Sequence, residues 1–301
     1  MRAFEGKRVL VTGGDGFIGK ELVRQLIREG AEVTVLSRSK TSASHHLCAD
    51  ITKADELADI TGTYDVVYHL AALVSVRKSL QNPEETFKIN VEGTKNMLEF
   101  AKRCNVKKFI FCSSCMVYGH NDGAVAETSP CGPENPYGKS KLEAEKLVRE
   151  SGRFFDVAIG RFFNAYGSGQ EGDVIGLFIR NALGNKPLRI EGSGNQKRDF
   201  LHVRDIAHAL ILLDDEKADG ETLNFATGEG TSINDLAQAV IRMTKSASQI
   251  VRTKAAQTEG SSIGNIAKAR KLLGWSPKIR LEEGLKEMVA ELSRRRDAAP
   301  F

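Results

Sequence analysis

Short β-branched runs alternate with stretches of helical period through the first half of the chain. The runs at 9–11, 33–36, 65–70 and 108–111 predict strands. Leu22, Val23, Leu26 and Ile27 fall on one helical face, and helical patterns also cover roughly 84–104 and 137–150. This alternation predicts an α/β fold of the Rossmann type, a doubly wound parallel sheet with helices on both faces.

The second half of the chain is less regular. Residues 164–204 are rich in Gly and Asn and predict loops around a short helix at about 173–184, with a further helix over 206–213. A strand predicted at 222–226 is expected to rejoin the sheet, and helices follow at 233–243 (behind an N-cap at Ser232), 265–273 and 281–293. We therefore expect one domain over 1–165 and a smaller, partly interleaved C-terminal lobe over 166–301.

Composition narrows the classes of function. The 43 basic and 39 acidic residues leave a net charge of +4 over 301 residues, too small a surplus to predict nucleic-acid binding. No apolar run approaches the roughly 20 residues of a membrane helix, and the N-terminus enters a strand without the layout of a signal peptide. Five cysteines are too few for a disulfide framework, so a reducing cytoplasm is the expected compartment.

Three glycines lie between the first predicted strand and the first predicted helix. Gly13, Gly16 and Gly19 have the spacing G-x-x-G-x-x-G. Glycine permits the tight turn and lets the backbone approach a pyrophosphate, while the helix N-terminus supplies free N–H groups and the positive end of its dipole. Because a strand precedes the motif and a helix follows it, the motif predicts a dinucleotide site rather than an ordinary turn.

The end of the second predicted strand bears on the choice between NAD and NADP. Sites that select NAD hold the ribose 2′-hydroxyl with an acidic residue about 20 residues beyond the glycines. Here the strand ends in Ser37 and Arg38, and a hydroxyl with a guanidinium suits a 2′-phosphate better. The pattern favours NADP, with Asp50 as a candidate for the adenine amino group. An Arg38 that stacks on adenine or faces water, and a capping Asp50, are the alternatives.

A second motif carries the chemistry. Tyr137 and Lys141 are four residues apart, so they share a face of the predicted helix. Since a free tyrosine has a pKa near 10, we expect the neighbouring ammonium to favour the phenolate and make Tyr137 a general base for a sugar hydroxyl. Ser114 ends a predicted strand and is placed to hydrogen-bond the same reacting oxygen.

Together these motifs resemble the extended short-chain dehydrogenase/reductase superfamily and, within it, the NAD-dependent nucleotide-sugar epimerase/dehydratase family. The resemblance covers nearly the whole chain. It also rests on the segments at 69–72, 90–94, 161–167, 192–200, 202–205 and 272–277.

The resemblance implies a role for each matching residue. Ser114, Tyr137 and Lys141 are the expected catalytic residues, and Asn164, Arg198 and Ser114 are expected to bind the substrate. A surface ion pair with Asp199 is the alternative for Arg198. The expected cofactor contacts, with NAD or NADP, are made by Gly13, Gly16, Phe17, Ile18, Ser37, Arg38, Asp50, Ile51, Leu70, Ala71, Ala72, Tyr137, Lys141 and Phe163.

The residues after Ser114 discriminate between reactions. Sugar dehydratases of the family carry an Asp-Glu pair there, whereas this chain has Cys115-Met116, which cannot serve as acid and base. The pattern is similar to that of the 4-epimerases, in which hydride leaves C4 and returns to the opposite face. A UDP-glucose/UDP-galactose type of substrate is expected, and the small Ser262 is compatible with an N-acetylated sugar.

Two alternative functions stay open. An NADP-dependent reductase of a 4-keto nucleotide sugar is the alternative enzyme, and a non-catalytic dinucleotide sensor is the alternative outside catalysis.

One residue of the family pattern is missing from this chain. The family's arginine for the nucleotide diphosphate has no clear counterpart near 255–260. The resemblance also implies a homodimer formed through the helices near 90–104 and 137–150. No metal site is predicted, because the Cys112/Cys115 pair and the histidines lack companions at ligand spacing.

Overall fold

A computed structural model describes residues 4–38, 45–121, 123–170, 172–254 and 260–298. Residues 297 and 298 are described as backbone only. Seven parallel strands form the central sheet, in the order β12-β7-β5-β4-β1-β2-β3. Their bounds are β1 Arg8–Thr12, β2 Glu32–Ser37, β3 His46–Cys48, β4 Val66–His69, β5 Lys108–Ser114, β7 Asp156–Phe162 and β12 Thr222–Phe225.

Eight short strands form two-stranded pairs outside this sheet. Parallel pairs join β6 (Ala124–Val125) to β15 (Ile263–Gly264), β8 (Ala165–Tyr166) to β11 (Leu201–His202), and β9 (Leu188–Glu191) to β14 (Ile250–Thr253). The pair of β10 (Lys197–Arg198) and β13 (Thr231–Ser232) is antiparallel.

The helices cover both faces of the sheet, as alternating strand residues require. Val9 and Val11 of β1 pack on the face covered by α1 and α8, whereas Leu10 packs on the face covered by α5 and α6. The bounds are α1 Phe17–Arg28, α2 Ala54–Ala58, α3 Val76–Gln81, α4 Pro83–Phe87, α5 Gly93–Arg103, α6 Pro136–Ser151, α7 Val174–Leu183, α8 Val203–Leu212, α9 Ile233–Thr244, α10 Ala267–Leu273 and α11 Leu281–Ala298.

The predicted Rossmann-type α/β fold is confirmed, and β12 joins the sheet beside β7 as expected. The helical pattern predicted over roughly 84–104 is confirmed as a continuous helical stretch, in which a π-helical turn at Lys88–Glu92 connects α4 to α5. The sequence pattern did not predict β3, which is only three residues long.

The C-terminal half builds a hydrophobic core of its own. Apolar side chains of α7, α9 and α11 pack together with Leu188 and Ile190 of β9 and with Tyr166. None of the helices in the described part of the chain is long and apolar enough to cross a membrane.

Candidate active site

A cavity of about 980 Å³ opens at the carboxyl edge of the sheet, where β1 and β4 mark the point at which the strand order reverses. Ligands of doubly wound sheets bind at this point. The cavity brings together all the predicted site residues except Arg198. They are Gly13, Gly16, Phe17, Ile18, Ser37, Arg38, Asp50, Ile51, Leu70, Ala71, Ala72, Ser114, Tyr137, Lys141, Phe163 and Asn164.

The turn between β1 and α1 is too tight for a side chain at Gly13 or Gly19. Gly13 has φ +68°, and a Cβ there would lie 2.9 Å from the backbone nitrogen of Ala71. A Cβ on Gly19 would lie 2.1 Å from the carbonyl oxygen of Gly13. Gly16 precedes α1 without a side-chain cap, so the first N–H groups of the helix stay available. These features fit the pyrophosphate of a dinucleotide.

A buried histidine, His69, is hydrogen-bonded to Thr12, the last residue of β1 before this turn. Nδ1 of His69 lies 2.8 Å from Thr12 Oγ1, and its Nε2 lies 3.0 Å from Thr94 Oγ1. Thr12 Oγ1 also accepts hydrogen bonds from the backbone N–H groups of Leu70 and Ala71, which line the cavity. Burial, together with the charge of Lys141, lowers the pKa of His69 to about 3, so the ring is neutral.

Where β2 ends, the cavity lining includes the cation Arg38, and β2 carries no carboxylate after Glu32. Ser37 Oγ lies 3.0 Å from His46 Nε2 on the neighbouring strand, and Arg38 follows Ser37 on the cavity wall. Asp50 is held locally, because its Oδ1 accepts hydrogen bonds from Thr52 N and Oγ1, both at 2.9 Å. Burial raises the pKa of Asp50, but these bonds and the charge of Arg38 bring it below its usual range.

Helix α6 presents Tyr137 and Lys141 to the end of β5. Asn135 caps the helix by accepting a hydrogen bond from Gly138 N at 2.9 Å, and Pro136 occupies the first turn. Lys141 Nζ donates to the carbonyl oxygen of Cys112 at 2.7 Å. Tyr137 and Ser114 share a side-chain hydrogen bond. The expected grouping of the tyrosine, the lysine and the serine is therefore present.

The protonation of Tyr137 differs from the sequence-based expectation. Burial raises the pKa of its phenol well above the ordinary value, and the hydrogen bond with Ser114 opposes this only in part. The ammonium of Lys141 does not reverse the shift, because its Nζ is turned to the Cys112 carbonyl and lies 4.5 Å from the centre of the Phe111 ring. Burial also lowers the pKa of Lys141.

Arg198 was predicted to bind substrate, but it does not line the cavity. Its Nη1 donates to the carbonyl oxygens of Lys197 (3.1 Å) and Gly260, which hold the guanidinium behind the wall. The alternative ion pair with Asp199 is absent as well. Arg198 forms no ion pair with any described residue, and burial lowers its pKa.

Asp199 instead joins three loops of the C-terminal half. Its carboxylate accepts hydrogen bonds from Thr227 N and Oγ1 (2.7 and 2.6 Å), Gly228 N (2.9 Å) and Gly264 N (3.2 Å). Asn164 lies beside it and donates through Nδ2 to the Asp199 carbonyl at 2.9 Å. The predicted substrate residue Asn164 is thereby fixed on the cavity wall.

Small side chains surround Asn164. Ser262 Oγ lies 3.5 Å from Asn164 Nδ2 and donates to Cys115 Sγ at 3.5 Å. Cys112 and Cys115 are both buried, and burial raises the pKa of each thiol, to about 11 for Cys112. Among the described residues no group of three His, Cys, Asp or Glu side chains is placed to hold a metal ion.

Sequence reasoning missed one wall of the cavity. The segment from the end of β4 into α4 contributes a stretch of mostly polar side chains, and Gln170 also lines the cavity. Asn90, in the π-helical turn, fixes the start of this segment by accepting from Leu73 N at 2.7 Å and donating to Leu73 O at 3.1 Å. This segment follows the parallel strand β4, and that position was the signal from which its place in the cavity wall could have been predicted. The residues are Leu73, Val74, Ser75, Val76, Lys78, Gln81, Asn82 and Glu85.

Comparison with known protein families gives a matching family. A family model described as the NAD dependent epimerase/dehydratase family matches residues 9–226. The chain belongs to this family. The resemblance inferred from the motifs is thus confirmed.

Individual family members differ in their stated reactions. A Methanocaldococcus jannaschii protein provisionally named UDP-glucose 4-epimerase is 36% identical over 93% of this chain and 97% of its own. UDP-glucuronic acid decarboxylase 1 of Danio rerio is 32% identical over 96% of this chain and 73% of its own. The solved UDP-glucuronic acid 4-epimerase of Bacillus cereus, in complex with UDP-glucuronic acid and NAD, is 29% identical with a TM-score of 0.87, over 96% of this chain and 99% of its own.

Proposed function

We propose that the protein is a nucleotide-sugar 4-epimerase that acts on a UDP-hexose of the glucose/galactose type by transient oxidation at C4, with bound NAD or NADP. The observation that carries this proposal is the grouping of Ser114, Tyr137 and Lys141 in one cavity with the glycine turn, beside a Cys115-Met116 pair that has no acid or base for dehydration. Epimerases among the relatives support it.

Each of the three residues has a distinct part in the proposed mechanism. Tyr137 accepts the proton of the C4 hydroxyl and later returns a proton to the same oxygen, while Ser114 hydrogen-bonds that oxygen. Lys141 is assigned the positive charge that would favour the phenolate during the reaction. Its Nζ would first have to turn from the Cys112 carbonyl, to which it donates at 2.7 Å, toward the phenol. A bound nicotinamide would take up the C4 hydride and return it. Between these two transfers the keto sugar would rotate in the cavity, so that the hydride returns to the opposite face of C4 and no net redox change results.

The lining near Ser114 favours a neutral sugar. Cys115, Met116, Asn164 and Gln170, which line the cavity with Ser114, carry no charge that would pair with a uronic carboxylate. Of the cations in the described lining, Arg38 is assigned to the cofactor and Lys141 to the reaction, and Lys78 lies in the segment after β4. This argues against decarboxylation of a UDP-uronic acid, the second candidate that the decarboxylase relatives suggest. The small Ser262 and Cys115 leave space for an N-acetyl group beside Asn164.

The nucleotide end of the substrate is proposed to lie between Asn164 and Arg198. Arg198 is a half-buried guanidinium without an ionic partner among the described residues, so a diphosphate reaching behind the wall would supply one. This role requires the Arg198 side chain to turn away from the Lys197 carbonyl.

For the cofactor we propose NADP in preference to NAD. No acidic residue occurs between Glu32 and Asp50 in the sequence, and Ser37 and Arg38 stand where a ribose 2′-phosphate would lie. The relative from Bacillus cereus holds NAD, so titration with both dinucleotides decides the matter. Freely exchanging NADPH would instead favour a 4-keto sugar reductase, and binding without turnover would favour a sensor.

The remaining expectations are carried as proposals. The dinucleotide-binding part is taken as 1–165 with β12, and the substrate lobe as most of 166–301. We propose a cytoplasmic homodimer paired through the helices α5 and α6, for which light scattering should give twice the mass of the chain. Neither nucleic acid nor membrane is proposed as a partner.

Replacement of Tyr137 by phenylalanine tests the proposal. We expect turnover of UDP-glucose or UDP-N-acetylglucosamine to fall by about 10³-fold, because the general base is lost, while the dissociation constant of the dinucleotide stays within about twofold. Tyr166→Phe is the matched control, since its hydroxyl makes only a 3.4 Å contact with Arg280 O away from the cavity. Equal turnover in Tyr137→Phe and the control would refute the assignment.

A further inference from the structure

Glu145 is a fully buried carboxylate that does not line the cavity. It lies on α6 one helical turn beyond Lys141, and its side chain is 0% exposed. Arg161 holds it with two parallel bonds, Nε to Oε1 at 2.9 Å and Nη2 to Oε2 at 2.7 Å. Ser113 donates to Oε1 at 2.6 Å, and Arg149 donates to Oε2 at 2.7 Å.

These partners keep Glu145 ionised. Burial raises the pKa of its carboxyl, but the bonds from Arg161 and Ser113 and the charge of Arg149 bring that pKa below the usual range. A buried ion pair of this kind adds little net stability, since well-packed apolar residues in its place are often as stable. The position of the pair beside the reacting groups is the more informative property.

One contact leads from Glu145 to the end of β5. Ser113 precedes Ser114 on that strand and pairs in register with Arg161 on β7. Glu145 therefore joins α6, β5 and β7 at the one place where β5 delivers Ser114 to the cavity. Ser113 itself is buried, at 4% exposed, although it also belongs to the cavity lining.

A second effect leads from Glu145 to Lys141. The groups that face the Lys141 ammonium are Phe111 and Cys112 from β5, His69 from β4, and Tyr137 and Glu145 from its own helix. In the described part of the chain Glu145 is the one carboxylate among them. Its charge raises the pKa of Lys141 and opposes the lowering by burial.

We propose that Glu145 is a positioning residue of the reaction, which fixes the end of β5 through Ser113 and keeps Lys141 charged. It touches neither sugar nor dinucleotide. The inference rests on the proposed function, because it assigns Lys141 and Ser114 their parts in the chemistry.

The test uses a double variant, Glu145→Gln with Arg161→Met, which removes both charges of the buried pair together, so that neither partner of that pair is left unpaired. We expect kcat to fall about tenfold, which is about 1.4 kcal/mol of barrier, with the dinucleotide dissociation constant within about twofold. We also expect the alkaline limb of the kcat–pH profile to move to lower pH, because Lys141 loses its proton more easily without the carboxylate.

The matched control is an ion pair at the other end of the same strand. Lys108→Met with Asp219→Asn removes the pair of a buried lysine and a partly exposed aspartate at the start of β5, away from the cavity lining, and should change stability without moving the pH profile. Ser113→Ala is a second variant that keeps the ion pair and loses only a hydroxyl, and its kcat should fall about threefold or more.

An alkaline limb that stays in place in the double variant overturns the proposal, whatever happens to stability. Should the double variant not fold, full kcat in Ser113→Ala overturns it. Wild-type protein that converts no UDP-hexose refutes the proposed function before either variant is compared, so the two failures are distinguishable.

Discussion

At the scale of single residues, burial affects the pKa of Tyr137 more than its neighbour Lys141 on the same helix does. The spacing of Tyr137 and Lys141 correctly predicted that they meet at the end of β5, but it suggested an acidic phenol. In the folded protein Lys141 bonds to a backbone carbonyl, and burial raises the pKa of Tyr137. The partner of a side chain can be predicted from helical spacing, whereas its solvation depends on the packing of the whole sheet.

His69 should make the protein sensitive to mild acid. Its pKa is lowered to about 3 in the fold from 6.5 when unfolded, so the stability it contributes is present above pH 6.5 and is lost as pH falls through this range. Between pH 7 and pH 5 the wild type should lose about 1–2 kcal/mol more unfolding free energy than His69→Gln. Urea denaturation at both pH values measures this, and equal losses in the two proteins would contradict it.

At the scale of elements, local capping made some boundaries predictable and tertiary contacts hid others. Helix α6 begins at Pro136 behind an Asn135 cap, within one residue of the predicted start. The π-helical turn at Lys88–Glu92 could not be read from periodicity, because it accompanies the bonds of Asn90 to Leu73. β3 forms by pairing with β2, and a segment of three residues is too short for a hydrophobic pattern that would predict a strand.

The turn between β1 and α1 should not tolerate a methyl group at Gly19. A Cβ there would lie 2.1 Å from the Gly13 carbonyl, which is backbone and cannot move aside without opening the turn. We expect Gly19→Ala to weaken dinucleotide binding at least about tenfold and to cost about 1–3 kcal/mol of stability. Gly123→Ala is the control, because a Cβ there meets nothing within 4 Å. Fluorescence titration that finds equal affinities would contradict this.

At the scale of the whole molecule, the sheet and its cavity could be predicted, and the long-range polar contacts could not. Strand and helix periodicity sufficed for the α/β fold and for the existence of β12, since each depends on local pattern. That β12 rejoins the sheet beside β7 was expected from the α/β architecture, because its partners lie about 60 residues earlier in the chain. Arg198 and Asp199 are adjacent in sequence, but Asp199 binds Thr227, Gly228 and Gly264, whose backbone lies far along the chain. Nothing local to 198–199 indicates those partners.

The central claim is epimerisation at C4 without net redox change, and product analysis of the unsupplemented enzyme tests it most directly. Purified protein, carrying only the dinucleotide it retains, is incubated with UDP-glucose and separately with UDP-N-acetylglucosamine. We predict many turnovers per bound dinucleotide, ending in an equilibrium mixture of the two C4 epimers with no accumulated reduced cofactor. Failure to form an epimer from either sugar, or turnover that requires NADPH in proportion to product, would contradict the account.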